Sequence, residues 1–336
     1  MSVIAFLLLL QFLLATVSAQ PPDLTVALDG TGDYRSITEA VGAIPNNSPS
    51  FFRIYIKAGV YNENVVIPAE KGNVILSGDG MDKTKIVSTR SQNITGHGIG
   101  ESAALDISSD FVLVKDISIV NNAGPEGEQA VALRTAGDFI ACLRCSIEGY
   151  QDTLYADQGT NHFFFNCEIY GTIDFIFGAA SVVIQNSTIL ARRPLDRQYN
   201  VITADGRTDD TVNTAIVIHK CSIIPTPELK AQSNVKTYLG RPWKTFSRTI
   251  IMQSNIDGFI DSEGWVKFRD SSDVTTLYYA EFWNSGPGSN TTGRVNWPGY
   301  HILTNPDDVQ VFTVEKFIRG SEWLKKLDVP YFPGLV

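Results

Sequence analysis

Beyond its first nineteen residues the chain has no apolar run of the ~20 residues that a membrane-spanning helix needs. Positive charge is scarce: 27 Lys and Arg stand against 36 Asp and Glu, a net charge of −9. A uniformly acidic surface binds polyphosphate poorly, which excludes general nucleic-acid binding. Only four histidines occur, His97, His162, His219 and His301, and none has zinc-ligand spacing to Cys or Glu. Gly-x-Ser-x-Gly is missing, and with it the main signature of a serine-hydrolase elbow. Gly78-Asp79-Gly80 has the glycines of a turn but too few for a phosphate loop. No amphipathic helical stretch separates the strand-like segments of the middle of the chain, so a solenoid with one helix per repeat is excluded.

What is present is an ordinary globular composition, 43% hydrophobic and 19% charged. Residues Val3 to Val17 are almost wholly apolar, and Val17-Ser18-Ala19 supplies small residues for cleavage. This reads as a signal peptide over 1–19, with residues 20–336 as one mature domain. Export would permit disulfides among Cys142, Cys145, Cys167 and Cys221, and would expose the sequons at Asn46, Asn93, Asn186 and Asn290 to glycosylation.

The middle of the chain repeats. Short apolar strands followed by a small or polar residue close on Ile119, Ile147, Ile169, Ile189, Ile223 and Ile256, at spacings of 28, 22, 20, 34 and 33 residues. Periods of this size, strand-rich and in one phase, predict an all-β, right-handed parallel β-helix whose longer spacings are corner loops. A β-sandwich would explain the short strands but not the single phase. Ser36 to Ile44 has helical spacing, with Ser36 as N-cap and Glu39 completing a capping box. It and a second helical segment, Val314 to Leu327, are expected as short caps near the two ends.

Asp152 follows Ile147 by five residues, and Asp174 follows Ile169 by five. In-phase coils would stack these carboxylates as neighbours, where double ionisation is disfavoured and one pKa rises. A nucleophile or base beside a general acid then results. Two separate turn aspartates remain the alternative for either residue alone, but the matched offsets and aromatic neighbours favour a site. Cys145 and Cys167 share a phase too, each two residues ahead of its isoleucine, and are expected to bridge; a reduced ladder is the alternative. Cys142 is expected to be a buried free thiol. Arg192, Arg193 and Arg241 follow the carboxylates, and Arg241-Pro242-Trp243 suits an anionic sugar, guanidinium on carboxylate and indole on the ring face. Trp265 fits a core role as well as a binding one.

Five segments in order, Gly59–Glu63, Gln129–Arg134, Tyr150–Leu154, Asp174–Gly178 and Leu239–Trp243, make the chain resemble the plant pectin methylesterases over residues 24–333. The resemblance implies a parallel β-helix that hydrolyses the C6 methyl esters of galacturonate units in pectin. It implies Asp174 as nucleophile, Asp152 as acid and then base, and Gln151 and Gln129 as oxyanion donors. Arg241 and Trp243 become substrate-binding residues, Cys145–Cys167 the family's usual bridge, and no metal or cofactor is implied. Expected partners are methylated homogalacturonan and a proteinaceous inhibitor, with no nucleic acid or membrane, for a secreted, monomeric cell-wall protein. Two departures stand out. The stretch His97–Ala103 replaces a Thr-rich segment in which one threonine touches substrate, and the signatures begin almost directly after the leader, as in forms without an inhibitor-like pro-domain. A catalytically silent pectin-binding β-helix, a polygalacturonase and a pectate lyase are the competing classes. The intact Gln, Asp and Arg set argues against the first, and the lack of a calcium-binding acid cluster against the lyase.

Overall fold

The isoleucines of the repeat form one column. Ile86, Ile119, Ile147, Ile169, Ile189, Ile223 and Ile256 pair in turn across successive parallel strands, and all are fully buried. A computed structural model describes residues 20–232, 234–270 and 272–336, so the leader expected over 1–19 lies outside the described residues.

The inner coils each contribute one strand to each of three parallel sheets, which have eleven, eight and seven strands among the described residues. One coil runs Ile140–Leu143, Ser146–Glu148 and Leu154–Ala156, and each of these three strands pairs with its equivalent one coil away, not with its neighbour in sequence. This is the expected right-handed parallel β-helix. Burying an isoleucine contributes roughly 2–3 kcal/mol, so an unbroken apolar column is a major part of what holds the coils in phase.

The corner before each isoleucine repeats as closely as the column does. Asp116, Arg144, Asn166, Asn186, Lys220 and Gln253 each stand three residues ahead of a column isoleucine and have φ between 49° and 59°. Non-glycine residues adopt this left-handed conformation at a cost of roughly 1–2 kcal/mol each. Stacking offsets part of it: Asn186 Nδ2 donates to Asn166 Oδ1 at 2.6 Å, and Arg144 donates to both oxygens of Asp116 at 2.6 and 2.7 Å.

The amino-terminal cap is the helix Ile37–Gly42, which buries Ile37, Ala40 and Val41 on the main core. Ser36 Oγ accepts from Glu39 N, as expected of the N-cap. The reciprocal half of the capping box is made by another residue. Glu63, one coil away in space, accepts from Ile37 N, Thr38 N and Ser36 Oγ, each at 2.9 Å. A carboxylate at a helix N-terminus satisfies free N–H groups and favours the helix dipole. Glu63 does this from a partly buried position, while Glu39 stays in solvent.

At the other end the expectation needs correcting. Val314–Leu327 is not one cap over the open coil but three short turns, Val314–Phe317, Gly320–Trp323 and Leu324–Leu327, broken at Arg319 with φ of 53°. They lie on the outer face of the eleven-stranded sheet, where Val314, Phe317, Ile318 and Trp323 join Phe163, Val183, Val217 and Ile250 in a second apolar cluster. That sheet is apolar on both faces and needs a cover. Phe332 completes the cover by exchanging two backbone hydrogen bonds with the Gln185 side chain, at 2.8 and 2.9 Å.

The Cys145–Cys167 bridge is not formed. All four cysteines are free and buried. The registry is as expected, since the two residues immediately precede the paired Ser146 and Glu168. The two thiols meet side chain to side chain, and each also rests on a carbonyl: Cys145 Sγ on Val114 O and Cys167 Sγ on Cys142 O, both at 3.4 Å. No helix among the described residues is long and apolar enough to cross a membrane.

Candidate active site

Asp152 and Asp174 occupy the same turn in consecutive coils. Each stands two residues ahead of a strand of the seven-stranded sheet, and those strands pair Leu154 with Ile176. Asp152 N donates to Ile173 O at 3.0 Å, which fixes one turn on the next. Both aspartates take left-handed backbone, φ 63° and 50°, a conformation that Asp tolerates better than most residues and that is concentrated at functional sites. The two turns therefore lie about one inter-strand step, ~4.8 Å, apart. The two aspartates are only 6% and 7% exposed.

The two environments differ. Burial, and then the charge of Asp174, push the Asp152 carboxyl well above the usual range, with Arg241 pulling the other way. Burial raises Asp174 as well, but here the guanidinium of Arg241 opposes it directly. Arg241 Nε and Nη2 grip the two oxygens of Asp174 at 2.7 and 2.6 Å. Both shifts make Asp152 the more readily protonated member of the pair and Asp174 the more readily ionised one.

Arg241, expected to bind substrate, is also the partner of Asp174. Its fork is taken up by Asp174, with Nη1 on Tyr199 Oη at 3.3 Å, and Phe268 covers the guanidinium face at 4.5 Å. A buried carboxylate without a partner is costly, so the cation serves Asp174, through Nε and Nη2.

All six expected site residues come together. Gln129, Gln151, Asp152, Asp174, Arg241 and Trp243 line one cavity of about 150 Å³. Its remaining wall is apolar: Ile99, Phe177, Ala204 and Phe268. The Trp243 ring meets Phe177 edge-on at 6.0 Å. Gly206 is required beneath it, because a Cβ there would stand 2.7 Å from Trp243 Cε3. Trp265, in contrast, is fully buried and stacked on Tyr279 at 4.4 Å, which makes it core. Arg192 is engaged locally, over the Tyr150 ring at 4.1 Å, and Arg193 is exposed beside Asp196.

Several residues escaped the sequence reading. Phe268 lies in an irregular stretch with no period to mark it. Ile99 sits within the altered His97–Ala103 segment and was readable as a departure but not as a wall of the pocket. Asp205 is wholly buried, and its carboxyl is pushed up to about 7 by burial against the backbone bonds of Arg248 and Arg207. The neighbouring Arg207 side chain donates to Val212 O at 2.7 Å and to Phe246 O at 3.3 Å, strapping down the loop that begins at Arg241. Among the described residues no group of three or more His, Cys, Asp or Glu is placed to hold a metal ion.

Comparison with known proteins bears on this geometry. A family model for pectinesterase matches residues 23–321. The chain belongs to the pectinesterase family. It is 47% identical over 312 residues to pectinesterase 3 of Solanum lycopersicum, covering 93% of this chain and 57% of that relative. It is 48% identical over 313 residues to the probable pectinesterase/pectinesterase inhibitor 12 of Arabidopsis thaliana, again covering 93% and 57%. The chain thus spans little more than half the length of these curated relatives. Among solved structures, the pectin methylesterase from carrot superposes with a TM-score of 0.93 at 44% identity, covering 95% of this chain and 99% of that one. A deglycosylated pectin methylesterase from Aspergillus niger gives a TM-score of 0.77 at 28% identity, covering 90% and 97%. Fold and family thus agree with the architecture reached from the repeat.

Proposed function

We propose that this chain is an ester hydrolase that removes the C6 methyl esters of galacturonate units in pectin. The observation that carries the reading is the unequal carboxylate pair: Asp174 clamped by Arg241, Asp152 buried beside it without such a partner and raised further, both facing a small pocket whose remaining wall is apolar. Family membership and the carrot structure support the substrate.

The chemistry balances on these residues. Asp174 Oδ attacks the ester carbonyl carbon, and the carbonyl electrons move to oxygen, where the side-chain amides of Gln129 and Gln151 donate to the oxyanion. Each such donor is typically worth ~3 kcal/mol of barrier. Collapse breaks the bond to the methoxy group, which leaves as methanol with the proton of Asp152. The acyl–Asp174 anhydride remains. Asp152, now ionised, takes a proton from water, whose oxygen adds to the acyl carbon and releases the galacturonic acid and the Asp174 carboxylate. Asp152 is left protonated for the next cycle. Ile99, Phe177 and Trp243 keep other water out and raise the strength of these charges. The same reading places the protein outside the cell, acting alone on cell-wall pectin, with a proteinaceous pectinesterase inhibitor as candidate partner.

The test is methanol release measured together with polymer length on highly methylated pectin. Methanol and new carboxyl groups should appear one for one while the polymer keeps its length. Shortening of the chain without methanol would mean glycosidase or lyase chemistry, and binding with neither product would mean a silent module.

A further inference from the structure

The segment that carries Arg241 and Trp243, residues 241–247, is fixed at both ends on one strand of the seven-stranded sheet, Asn200–Asp205. At its start Arg241 N donates to Thr203 O at 2.9 Å. Just past its end Arg248 N donates to Asp205 Oδ1 at 2.7 Å, and Arg207 N reaches the same oxygen at 3.1 Å. Between the two anchors the Trp243 ring lies against Gly206, the residue after Asp205. The first anchor is a backbone carbonyl, whereas the second depends on one side chain.

Asp205 is an expensive choice for that place. It is wholly buried, and its Oδ2 has no hydrogen-bond partner among the described residues. The charged groups beside it are Arg207 and Arg248, and neither grips it through the guanidinium. Arg207 spends its donors on Val212 O and Phe246 O, and Arg248 on Thr214 O at 2.7 Å and Asn213 Oδ1 at 2.8 Å. The remaining titratable neighbour is Tyr279, from the strand Tyr278–Phe282, whose hydroxyl meets Ser247 Oγ at 2.9 Å. A half-partnered carboxyl group is a costly way to fill a core position, so its bonds to the two backbone N–H groups are what it supplies.

We propose that Asp205 is a positioning residue for the ester hydrolysis: its carboxylate holds the end of segment 241–247 and thereby sets Trp243 on the pocket wall and Arg241 on Asp174. The proposal rests on the ester-hydrolase reading and adds to it a residue that touches neither substrate nor reacting atoms. A hydrogen bond to an ionised acceptor is roughly twice as strong as one to a neutral group, so the ionised form grips Arg248 N more firmly. Burial places that ionisation at about 7. Rising pH then has two opposed effects. It tightens the segment, which favours turnover. It also costs stability, because a carboxyl raised in the fold favours folding while protonated and loses that contribution as pH rises through about 7.

Asp205→Asn tests this, since it keeps the shape and an acceptor oxygen but stays neutral at every pH. On highly methylated pectin the ratio of wild-type to variant kcat should rise from ~1 at about pH 5.5 to ~5 at about pH 8. The melting temperature of the wild type relative to the variant should fall over the same interval. A residue that only supports the fold would lose rate and stability together. In protein with isotope-labelled tryptophan and no substrate, the Trp243 indole resonance, assigned with Trp243→Phe, should shift with a midpoint near 7 in the wild type and stay still in Asp205→Asn. Asp205→Ala removes the acceptor and should cost ~10²-fold in kcat at every pH, as a displaced site does. Circular dichroism confirms that each variant is folded. A kcat ratio that stays flat with pH, an unmoved Trp243 resonance in the wild type, or wild-type turnover in folded Asp205→Ala would overturn the proposal. No methanol from the wild type at any pH would instead sink the ester-hydrolase reading, and the resonance, read without substrate, still decides whether Asp205 places Trp243.

Discussion

Asp174→Asn should abolish methanol release, by ~10⁴-fold or more in kcat, since loss of a nucleophile that works as a unit with its partner typically has effects of that size. The substitution keeps the shape of the side chain and removes the attacking charge. It also leaves Arg241 beside a neutral amide in a largely buried place. Removing one member of a buried pair costs ~3–5 kcal/mol, and the amide oxygen of Asn recovers part of that. The variant is therefore expected to fold, with a melting temperature lowered by several degrees. Turnover and the melt should be measured on the same preparation. Near wild-type turnover, with deamidation excluded by mass spectrometry, would defeat the assignment of Asp174. A folded protein with no turnover fits it.

Arg241→Gln should have the second-largest effect, and a different one from that of a residue that merely binds substrate. Burial raises the Asp174 carboxyl, and the Arg241 hydrogen bonds and charge are what hold it down. Without the cation the proton on Asp174 leaves only at higher pH. The acid limb of the kcat/KM profile should then move to higher pH by at least ~1 unit, and the rate near neutrality should fall ~10²-fold, with partial recovery as pH rises. A raised KM with an unmoved profile would mean that Arg241 acts on the sugar and not on the nucleophile. The ion pair of 2.6 Å between Arg241 and Asp174 makes the first outcome the expected one.

Much of this site was readable in the chain because a β-helix turns sequence phase into spatial stacking. The shared offset of five residues from Ile147 and Ile169 predicts Asp152 stacked over Asp174, and the column of isoleucines forms as the repeat implies. What the phase could not carry was which partner each side chain takes. Cys145 and Cys167 stack as expected with their thiols in contact, yet both are free. Nor could phase reveal that Glu63 would cap the helix in place of Glu39, because that contact joins separate coils through space. Arg241 was picked for its neighbours Pro242 and Trp243. Its partner, 67 residues away in sequence, became visible only in the fold. The carboxy-terminal turns were misplaced for another reason. Their amphipathic pattern says that they cover something apolar but not whether it is the open end or the outer face of a sheet.

The central claim is that the stacked carboxylates share one proton, held by Asp152, while Asp174 stays ionised against Arg241. Infrared difference spectroscopy on the protein with isotope-labelled aspartate tests it most directly, at the pH where methanol release is fastest. The wild type should show the carbonyl stretch of one buried, protonated carboxyl. That band should vanish in Asp152→Asn and persist, shifted at most, in Asp174→Asn. Two ionised carboxylates in the wild type, or a protonated band lost in Asp174→Asn and kept in Asp152→Asn, would contradict the account.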